Sequence, residues 1–156
     1  MTSYVAVCGA GMAGARPADL YAAEEVGQGV AEAGGIVVCG GLGGVMEAAC
    51  RGARSAGGIT VGLLPSADRA DANPFVSVAI PTGIGELRNG LVVRAADVVI
   101  AIGGEWGTLS EIALAMKTDT PVLGIDTWDL GRPGIEVAAD AGAAVKRALA
   151  LASHSH

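Results

Sequence analysis

The chain has 156 residues and a net charge of -6, and 51% of its residues are hydrophobic while only 17% are charged. This length favours one domain, and an acidic chain without a basic stripe argues against nucleic acid as the main partner. No apolar run reaches the roughly 18 residues that a membrane span needs. The apolar excess is therefore expected in a sheet covered on both faces and in a subunit contact.

The N-terminus lacks the basic and long apolar segments of a signal peptide, so we expect a cytoplasmic protein. The three cysteines show no paired spacing, which suits a reducing compartment. We expect a single domain over 1–152 and a frayed polar tail over 153–156.

Apolar runs that predict strands alternate with segments of helical spacing along the chain. The predicted strands are 4–8, 36–39, 60–64, 75–80, 97–102 and 121–125. The predicted helices are 18–33, 45–56, the later part of 82–95, 108–117 and 135–152. Continuously apolar strands separated by helices predict a parallel sheet with helices on both faces, which is a Rossmann-like three-layer α/β fold.

Three glycine clusters, 9–14, 40–44 and 103–107, each follow a predicted strand and precede a predicted helix. Ligands of such sheets bind beyond the carboxyl ends of the strands. Glycine lets backbone N–H groups approach a ligand, and a helix N-terminus carries partial positive charge, so a phosphate is the expected guest. The candidate binding residues here are Gly9, Gly11, Gly40, Gly41, Gly43, Gly44, Met46, Gly103, Gly104, Gly107 and Thr108.

The first cluster matches the G-x-G-x-x-G pattern of dinucleotide sites through Gly9, Gly11 and Gly14. Such sites also need an acidic residue at the end of the second strand to bind a ribose, but that strand runs into GGLGG. We therefore favour a more general phosphate-side loop over a dinucleotide site, and a tight strand-to-helix turn fits either interpretation.

The third cluster leads into a helix with two open interpretations for Glu111. In the first, Thr108 is the N-cap and Glu111 the N3 residue of a T-x-x-E capping box. In the second, the Glu111 carboxylate lies at the mouth of a phosphate cleft near Arg88, unless Arg88 is a surface residue paired with Glu86. Trp106 either stacks on a ligand ring or covers a dimer surface. The predicted apolar stripe of this helix is Leu109, Ile112, Ala113 and Met116.

Four segments resemble the LOG-like superfamily, whose members are often labelled "possible lysine decarboxylase". They are GGLGGVMEAACRGA, GGITVGLLP, TGIGELRN and GGEWGTLSEIALAMK. The resemblance runs from Tyr4 to about Ile125 and is strongest to the bacterial branch with molybdenum-cofactor carrier proteins. It implies a Rossmann-like fold, a homodimer or higher homo-oligomer, and a phosphorylated ligand such as a nucleotide or a molybdopterin-type cofactor.

One branch of this superfamily hydrolyses cytokinin nucleoside monophosphates to base and ribose 5-phosphate, using a PGGxGTxxE motif and an upstream RKxxM. By this resemblance Arg88 would hold the phosphoribosyl group, and Glu111 would stabilise oxocarbenium charge or activate water. Asn89, which replaces the Lys, joins the binding residues, and Val92 replaces the Met. Glu105 replaces the second glycine, where a carboxylate would repel phosphate unless it turns outward. We therefore predict ligand binding, with a nucleoside 5'-monophosphate phosphoribohydrolase as the alternative.

Other chemistries lack the residues that they need. A pyridoxal-phosphate lysine decarboxylase requires a Schiff-base lysine, but Lys117 and Lys146 lie away from the glycine loops. Both histidines fall within the last three residues, which excludes a Ser-His-Asp triad and a His-based metal site. Cys8 and Cys39 end strands and are interpreted as small buried residues that could lie near each other. No metal and no required cofactor are expected.

Overall fold

The structure, a computed structural model, describes residues 1–154. Within them, seven strands form one sheet: β1 Tyr4–Gly9, β2 Ile36–Cys39, β3 Ile59–Leu64, β4 Val78–Pro81, β5 Val98–Ile102, β6 Val122–Ile125 and β7 Ile135–Val137. The α-helices are α1 Pro17–Glu32, α2 Val45–Ser55, α3 Asn89–Arg94, α4 Trp106–Lys117 and α5 Ala141–Ala152, and 3₁₀ helices lie at Arg69–Asp71 and Gly85–Arg88. All strand pairs are parallel. The predicted Rossmann-like α/β fold is confirmed.

Helices cover both faces of the sheet. Helices α1, α2 and α5 share one buried cluster with Val5 and Val7, while α3 and α4 share the other with Ala6 and Cys8. Alternate residues of β1 thus enter opposite clusters, as the two-residue repeat of a strand requires. A strand buried on both sides is apolar at every position, which explains the continuous runs. None of the helices within 1–154 has the length and apolarity to cross a bilayer.

Helices α1 and α2 touch through their backbones at two glycines. A Cβ added to Gly27 would overlap the carbonyl oxygen of Ala49, and one added to Gly52 would overlap that of Glu24. Side chains larger than hydrogen at these two positions would force the helices apart. Because interiors are close-packed, the pair behaves as one unit on its face of the sheet.

The C-terminal part of the chain differs from the sequence prediction. The predicted helix 135–152 is wrong at its start, because 135–137 form β7, which extends the sheet beside β6. Helix α5 begins at Ala141, and the Asp140 carboxylate caps it by accepting from the Ala143 amide at 2.8 Å. Ser153 and His154 continue the turn after α5, and the rest of the predicted tail lies outside the described residues.

The strand order β4-β3-β2-β1-β5-β6-β7 reverses direction next to β1. Strands β2, β3 and β4 lie on one side of β1, while β5, β6 and β7 lie on the other, and Gly9 is level with Ile102 where β1 and β5 end. The following loops lead to helices on opposite faces, so a crevice opens between them. Ligands of open α/β sheets bind at this type of switch point.

Candidate functional site

The main candidate site is a cleft of about 290 Å³ at this edge, here called the arginine cleft. Its lining includes these residues predicted from the sequence: Gly9, Gly11, Met46, Arg88, Asn89, Gly107, Thr108 and Glu111. The wall also contains four residues that were not predicted as part of the site, namely Ala10, Leu42, Pro65 and Glu86. Pro65 follows β3 directly, and its place after a parallel strand was the available signal.

The other predicted glycines, namely Gly40, Gly41, Gly43, Gly44, Gly103 and Gly104, do not line this cleft. Two of them, Gly40 and Gly104, pack against side chains that line the cleft. A Cβ on Gly40 would lie 2.5 Å from Nη2 of Arg88, so a side chain there would displace the guanidinium. Gly104 has a φ of +113°, and its added Cβ would lie 2.5 Å from the Cβ of Thr108. Direct ligand contact by these glycines stays a prediction.

Arg88 is buried in the wall of the cleft, with 8% of its surface exposed. Its Nη1 donates to Oδ1 of Asn89, and its Nη2 donates to the carbonyl of Gly40 at 3.4 Å, but its Nε has no partner. None of the carboxylates described lies within the 4.0 Å of an ion pair with it. The interpretation as a surface residue paired with Glu86 is therefore wrong. A buried charge without a direct ion pair is costly, and an anionic ligand in contact with Arg88 would compensate it.

The N-terminus of α4 points to the same place. The helix begins at Trp106 with Glu105 as its N-cap, so the predicted capping box of Thr108 and Glu111 is wrong. Thr108 is instead an N3 residue, and its Oγ1 is buried without a partner. A helix N-terminus beside an unused hydroxyl is a favourable place for an anion.

The buried face of α4 is also rotated relative to the predicted apolar stripe. It contains Thr108, Glu111, Ile112 and Ala115, whereas Ala113 is exposed. Two polar residues occupy buried positions because this face runs past the cleft before it reaches the apolar core. The stripe prediction is right for Ile112 and for Met116, which packs against the buried cluster, and wrong for Ala113, because it counted apolar residues alone.

Glu111 is 7% exposed and lines the arginine cleft. Burial raises the pKa of Glu111 from 4.5 to about 7, while a hydrogen bond with the Cys8 thiol and the charge of Arg88 oppose the shift. Burial and the nearby Glu111 raise the pKa of the Cys8 thiol, so Cys8 stays protonated. A carboxyl that titrates near neutral pH is suited to acid–base chemistry.

Cys8 and Cys39 lie near the ends of the adjacent strands β1 and β2, in agreement with the expected proximity, and Cys50 also lies close to Cys39. The Sγ of Cys39 lies 3.5 Å from that of Cys50, both are buried, and all three cysteines are free. Within residues 1–154, no group of three or more His, Cys, Asp or Glu side chains could hold a metal ion.

A second cleft adjoins the first and is here called the tryptophan cleft. It measures about 440 Å³, and Glu105 lines both clefts. Its other lining residues are Gly14, Arg16, Asp19, Gly103, Gly104, Asp126, Thr127 and Trp128. This cleft was not predicted from the sequence, although Asp126 and Trp128 follow β6 closely at the ligand-binding edge.

Hydrogen bonds fix the shape of the tryptophan cleft. Nε1 of Trp128 donates to the carbonyl of Glu105 at 3.2 Å, and the Trp128 ring lies 5.3 Å from the ring of Trp106. Asp19 is buried and accepts from the backbone and guanidinium of Arg16. The side-chain hydrogen bond from Arg16 is the main reason that the pKa of Asp19 is lowered.

Known proteins with the same fold bind a molybdenum cofactor. The molybdenum cofactor binding protein from the phototrophic bacterium Rippkaea orientalis is 35% identical with a TM-score of 0.91, and the match covers 97% of this chain and 98% of that one. The Moco carrier protein from Chlamydomonas reinhardtii is 33% identical with a TM-score of 0.89, over 98% of this chain and 99% of that one.

The sequence also matches a relative and a family profile. Over 95 residues the chain is 45% identical to an "Uncharacterized protein" from Archaeoglobus fulgidus, and this match spans 61% of this chain and 62% of the archaeal protein. The profile of the SLOG cluster4 family matches residues 2–152. Together with the solved structures, this match confirms the resemblance found in the sequence. The chain belongs to the SLOG cluster4 family.

Proposed function

We propose that the chain binds a phosphorylated small molecule of the molybdopterin type, with the phosphate in the arginine cleft, and carries it without turning it over. One observation carries this proposal: Arg88 is buried in the cleft wall with its Nε unpartnered. The nearby hydroxyl of Thr108 is also unpartnered. A phosphate is a strong acceptor that satisfies a guanidinium and a hydroxyl together.

The size of the arginine cleft supports a phosphate-end site rather than a site for a whole ligand. Its volume of about 290 Å³ is at the lower limit of ligand pockets, which span about 300–1,000 Å³. A phosphate and the carbon atoms next to it fit, and a ring must extend beyond it. The cofactor-binding proteins from Rippkaea orientalis and Chlamydomonas reinhardtii support the molybdopterin class for this chain.

Cofactor retention tests the proposal. The protein is mixed with molybdenum cofactor released from a denatured molybdoenzyme, and the pterin that stays with it through gel filtration is measured by fluorescence after oxidation. We expect the wild type and Arg94→Gln to retain pterin and Arg88→Gln to lose it. Arg94 is exposed on α3 and is a matched control for the loss of a positive charge. Equal retention by both variants would contradict the assignment.

A phosphoribohydrolase is the second candidate, and the position of Glu111 favours it. This carboxyl is buried, does not cap α4, lines the arginine cleft and has its pKa raised to about 7 by burial. In this function Arg88 would bind the 5'-phosphate of a nucleoside monophosphate, and Glu111 would stabilise the oxocarbenium ion or activate water. Release of ribose 5-phosphate from AMP or GMP distinguishes the two functions.

We also propose a homodimer in the cytoplasm. Leu87, Leu91 and Leu114, on the segment that leads into α3 and on α3 and α4, are exposed by 80%, 44% and 37%, and such side chains together favour a subunit contact. The free, buried cysteines suit a reducing compartment. Sedimentation velocity that shows a monomer at micromolar concentration would contradict the dimer.

A further inference from the structure

We infer that the tryptophan cleft binds the ring of the same ligand, and that it selects a heterocycle with an amino-pyrimidinone edge, such as a pterin or guanine, over adenine. This inference rests on the proposed function, because it assigns the part of the ligand that the arginine cleft is too small to hold.

The two clefts are placed to share one ligand. Glu105 lines both, and the tryptophan cleft also contains Gly103 and Gly104, which lead from β5 to α4. A Cβ on Gly14 would clash with the carboxylate of Glu105, and Gly14 lines the tryptophan cleft only. The carboxylate therefore turns away from the phosphate end and towards the tryptophan cleft.

The aromatic side chains provide a stacking surface. Trp106 is 76% exposed at the start of α4, and its ring lies at 38° to that of Trp128. The hydrogen bond from Nε1 of Trp128 to Glu105 holds the second ring in place. A planar ligand ring that stacks on a large exposed aromatic side chain gains binding free energy, and many kinds of ring can stack in this way. The tryptophans alone therefore predict a flat ligand and do not distinguish one base from another.

The carboxylates provide that distinction. Asp19 is neutralised by Arg16 at 2.7 Å, whereas neither Glu105 nor Asp126 lies within 4.0 Å of a basic group in the described part of the chain, although the charge of Asp126 also acts on Arg16. Free carboxylates repel a phosphate and only accept hydrogen bonds. An amino-pyrimidinone presents a ring N–H and an exocyclic amino group side by side, and a carboxylate accepts from both. The corresponding edge of adenine pairs one donor with an acceptor, so one carboxylate oxygen would face a lone pair.

Tryptophan fluorescence gives a direct readout, because Trp128 lines this cleft and the ring of Trp106, the other tryptophan of the chain, lies 5.3 Å from it. We expect GMP to quench the emission and to bind about tenfold more tightly than AMP or IMP. IMP is the matched probe, since it lacks only the exocyclic amino group of GMP. Equal affinities for GMP, IMP and AMP would overturn the inference.

Variants assign the preference to particular side chains. We expect Asp126→Asn and Glu105→Gln each to reduce the ratio of GMP to IMP affinity, and the double variant to bring it within about twofold of unity. Asp71→Asn, on the 3₁₀ helix at Arg69–Asp71, is the matched control and keeps the full ratio. We expect Trp106→Leu to weaken GMP binding about tenfold, at the scale of one base stacked on one aromatic ring. An unchanged ratio in the double variant, or unchanged affinity in Trp106→Leu, would overturn the inference.

Two further probes separate failure of this inference from failure of the proposed function. Calorimetry with inorganic phosphate tests the arginine cleft alone, and guanosine quenching tests the tryptophan cleft alone. Phosphate binding that is lost in Arg88→Gln, without quenching by guanosine, would overturn the ring site and leave the phosphate site standing. Guanosine quenching without phosphate binding would support the ring site and overturn the phosphate site.

Discussion

The arginine cleft and the tryptophan cleft share Glu105, but their polar groups are satisfied to different degrees. In the arginine cleft, the Nε of Arg88 and the Oγ1 of Thr108 are buried without partners. In the tryptophan cleft, Asp19 accepts three hydrogen bonds from Arg16, and Trp128 and Thr127 donate to backbone carbonyls.

This difference indicates what each cleft requires from a ligand. Buried polar atoms without partners cost stability, and a ligand that satisfies them gains affinity. The arginine cleft is therefore incomplete without an anion, whereas the tryptophan cleft is complete and offers stacking area with free acceptors. The following four predictions test this comparison.

The largest effect is expected in the pH dependence of stability, through Glu111. Burial raises its pKa from 4.5 to about 7 in the folded chain, while the unfolded chain keeps the ordinary value. Between pH 4.5 and about 7 the folded state binds more protons than the unfolded state. The contribution of protonated Glu111 to the free energy of unfolding is therefore complete below pH 4.5 and is lost as the pH rises through about 7. The loss is about 3 kcal/mol, because each pKa unit corresponds to about 1.4 kcal/mol.

Urea denaturation of the wild type and Glu111→Gln across this pH window measures the effect. We expect the wild type to lose stability relative to Glu111→Gln as the pH rises, and the exposed control Glu86→Gln to follow the wild type. Parallel curves for the wild type and Glu111→Gln would show that Glu111 has an ordinary pKa.

The next effect concerns turnover in the arginine cleft. We expect the wild type to release no ribose 5-phosphate from AMP or GMP above the buffer rate, as a carrier should. If Glu105→Gly, which restores the second glycine of the hydrolase motif, releases it, Glu105→Gly/Glu111→Gln should be slower by about 100-fold, the usual scale for an acid–base group. Brisk turnover by the wild type would contradict the carrier function and support the phosphoribohydrolase.

A smaller effect is expected from removing the charge of Arg88. Arg88→Met keeps an unbranched side chain but removes a buried charge that makes no ion pair within 4.0 Å with the carboxylates of residues 1–154. Without ligand, we expect the variant to be more stable than the wild type by about 1 kcal/mol, since binding groups are often kept at a cost in stability. Thermal melts with Arg94→Met as the control, in buffer with and without phosphate, measure this. A less stable Arg88→Met without phosphate would show that the protein itself compensates the guanidinium.

The smallest effect is expected from Glu105→Gly on phosphate affinity. The Glu105 carboxylate lies against Gly14 on the side of the tryptophan cleft, so its removal should tighten phosphate binding less than about threefold at physiological salt, where exposed charges are screened. Calorimetry with inorganic phosphate measures it, with Glu47→Gly as the control for losing a carboxylate. Tightening by tenfold or more would place the carboxylate at the phosphate and weaken the contrast between the clefts.

The parts of the fold that follow from local pattern could be predicted, whereas those that depend on tertiary contacts could not. Continuous apolar runs gave the strands up to β6, but β7 has only three residues and no periodicity. The glycine loops were found because they follow strands. The T-x-x-E pattern misled because Glu105 begins the helix three residues earlier. The burial of Arg88 depends on contacts between segments that are distant in sequence. The same is true of the hydrogen bonds from Thr127 and Trp128, which follow β6, to the loop after β5.

The contact between α1 and α2 at Gly27 and Gly52 has a mechanical consequence for the loops at the site. The loop 9–14 leads into α1 and the loop 40–44 into α2, so both loops are anchored to one rigid pair of helices. The loop 103–107 leads into α4 on the opposite face of the sheet. We therefore expect any widening of the crevice to come from α4 moving against that pair, with the glycines that follow β5 as the hinge.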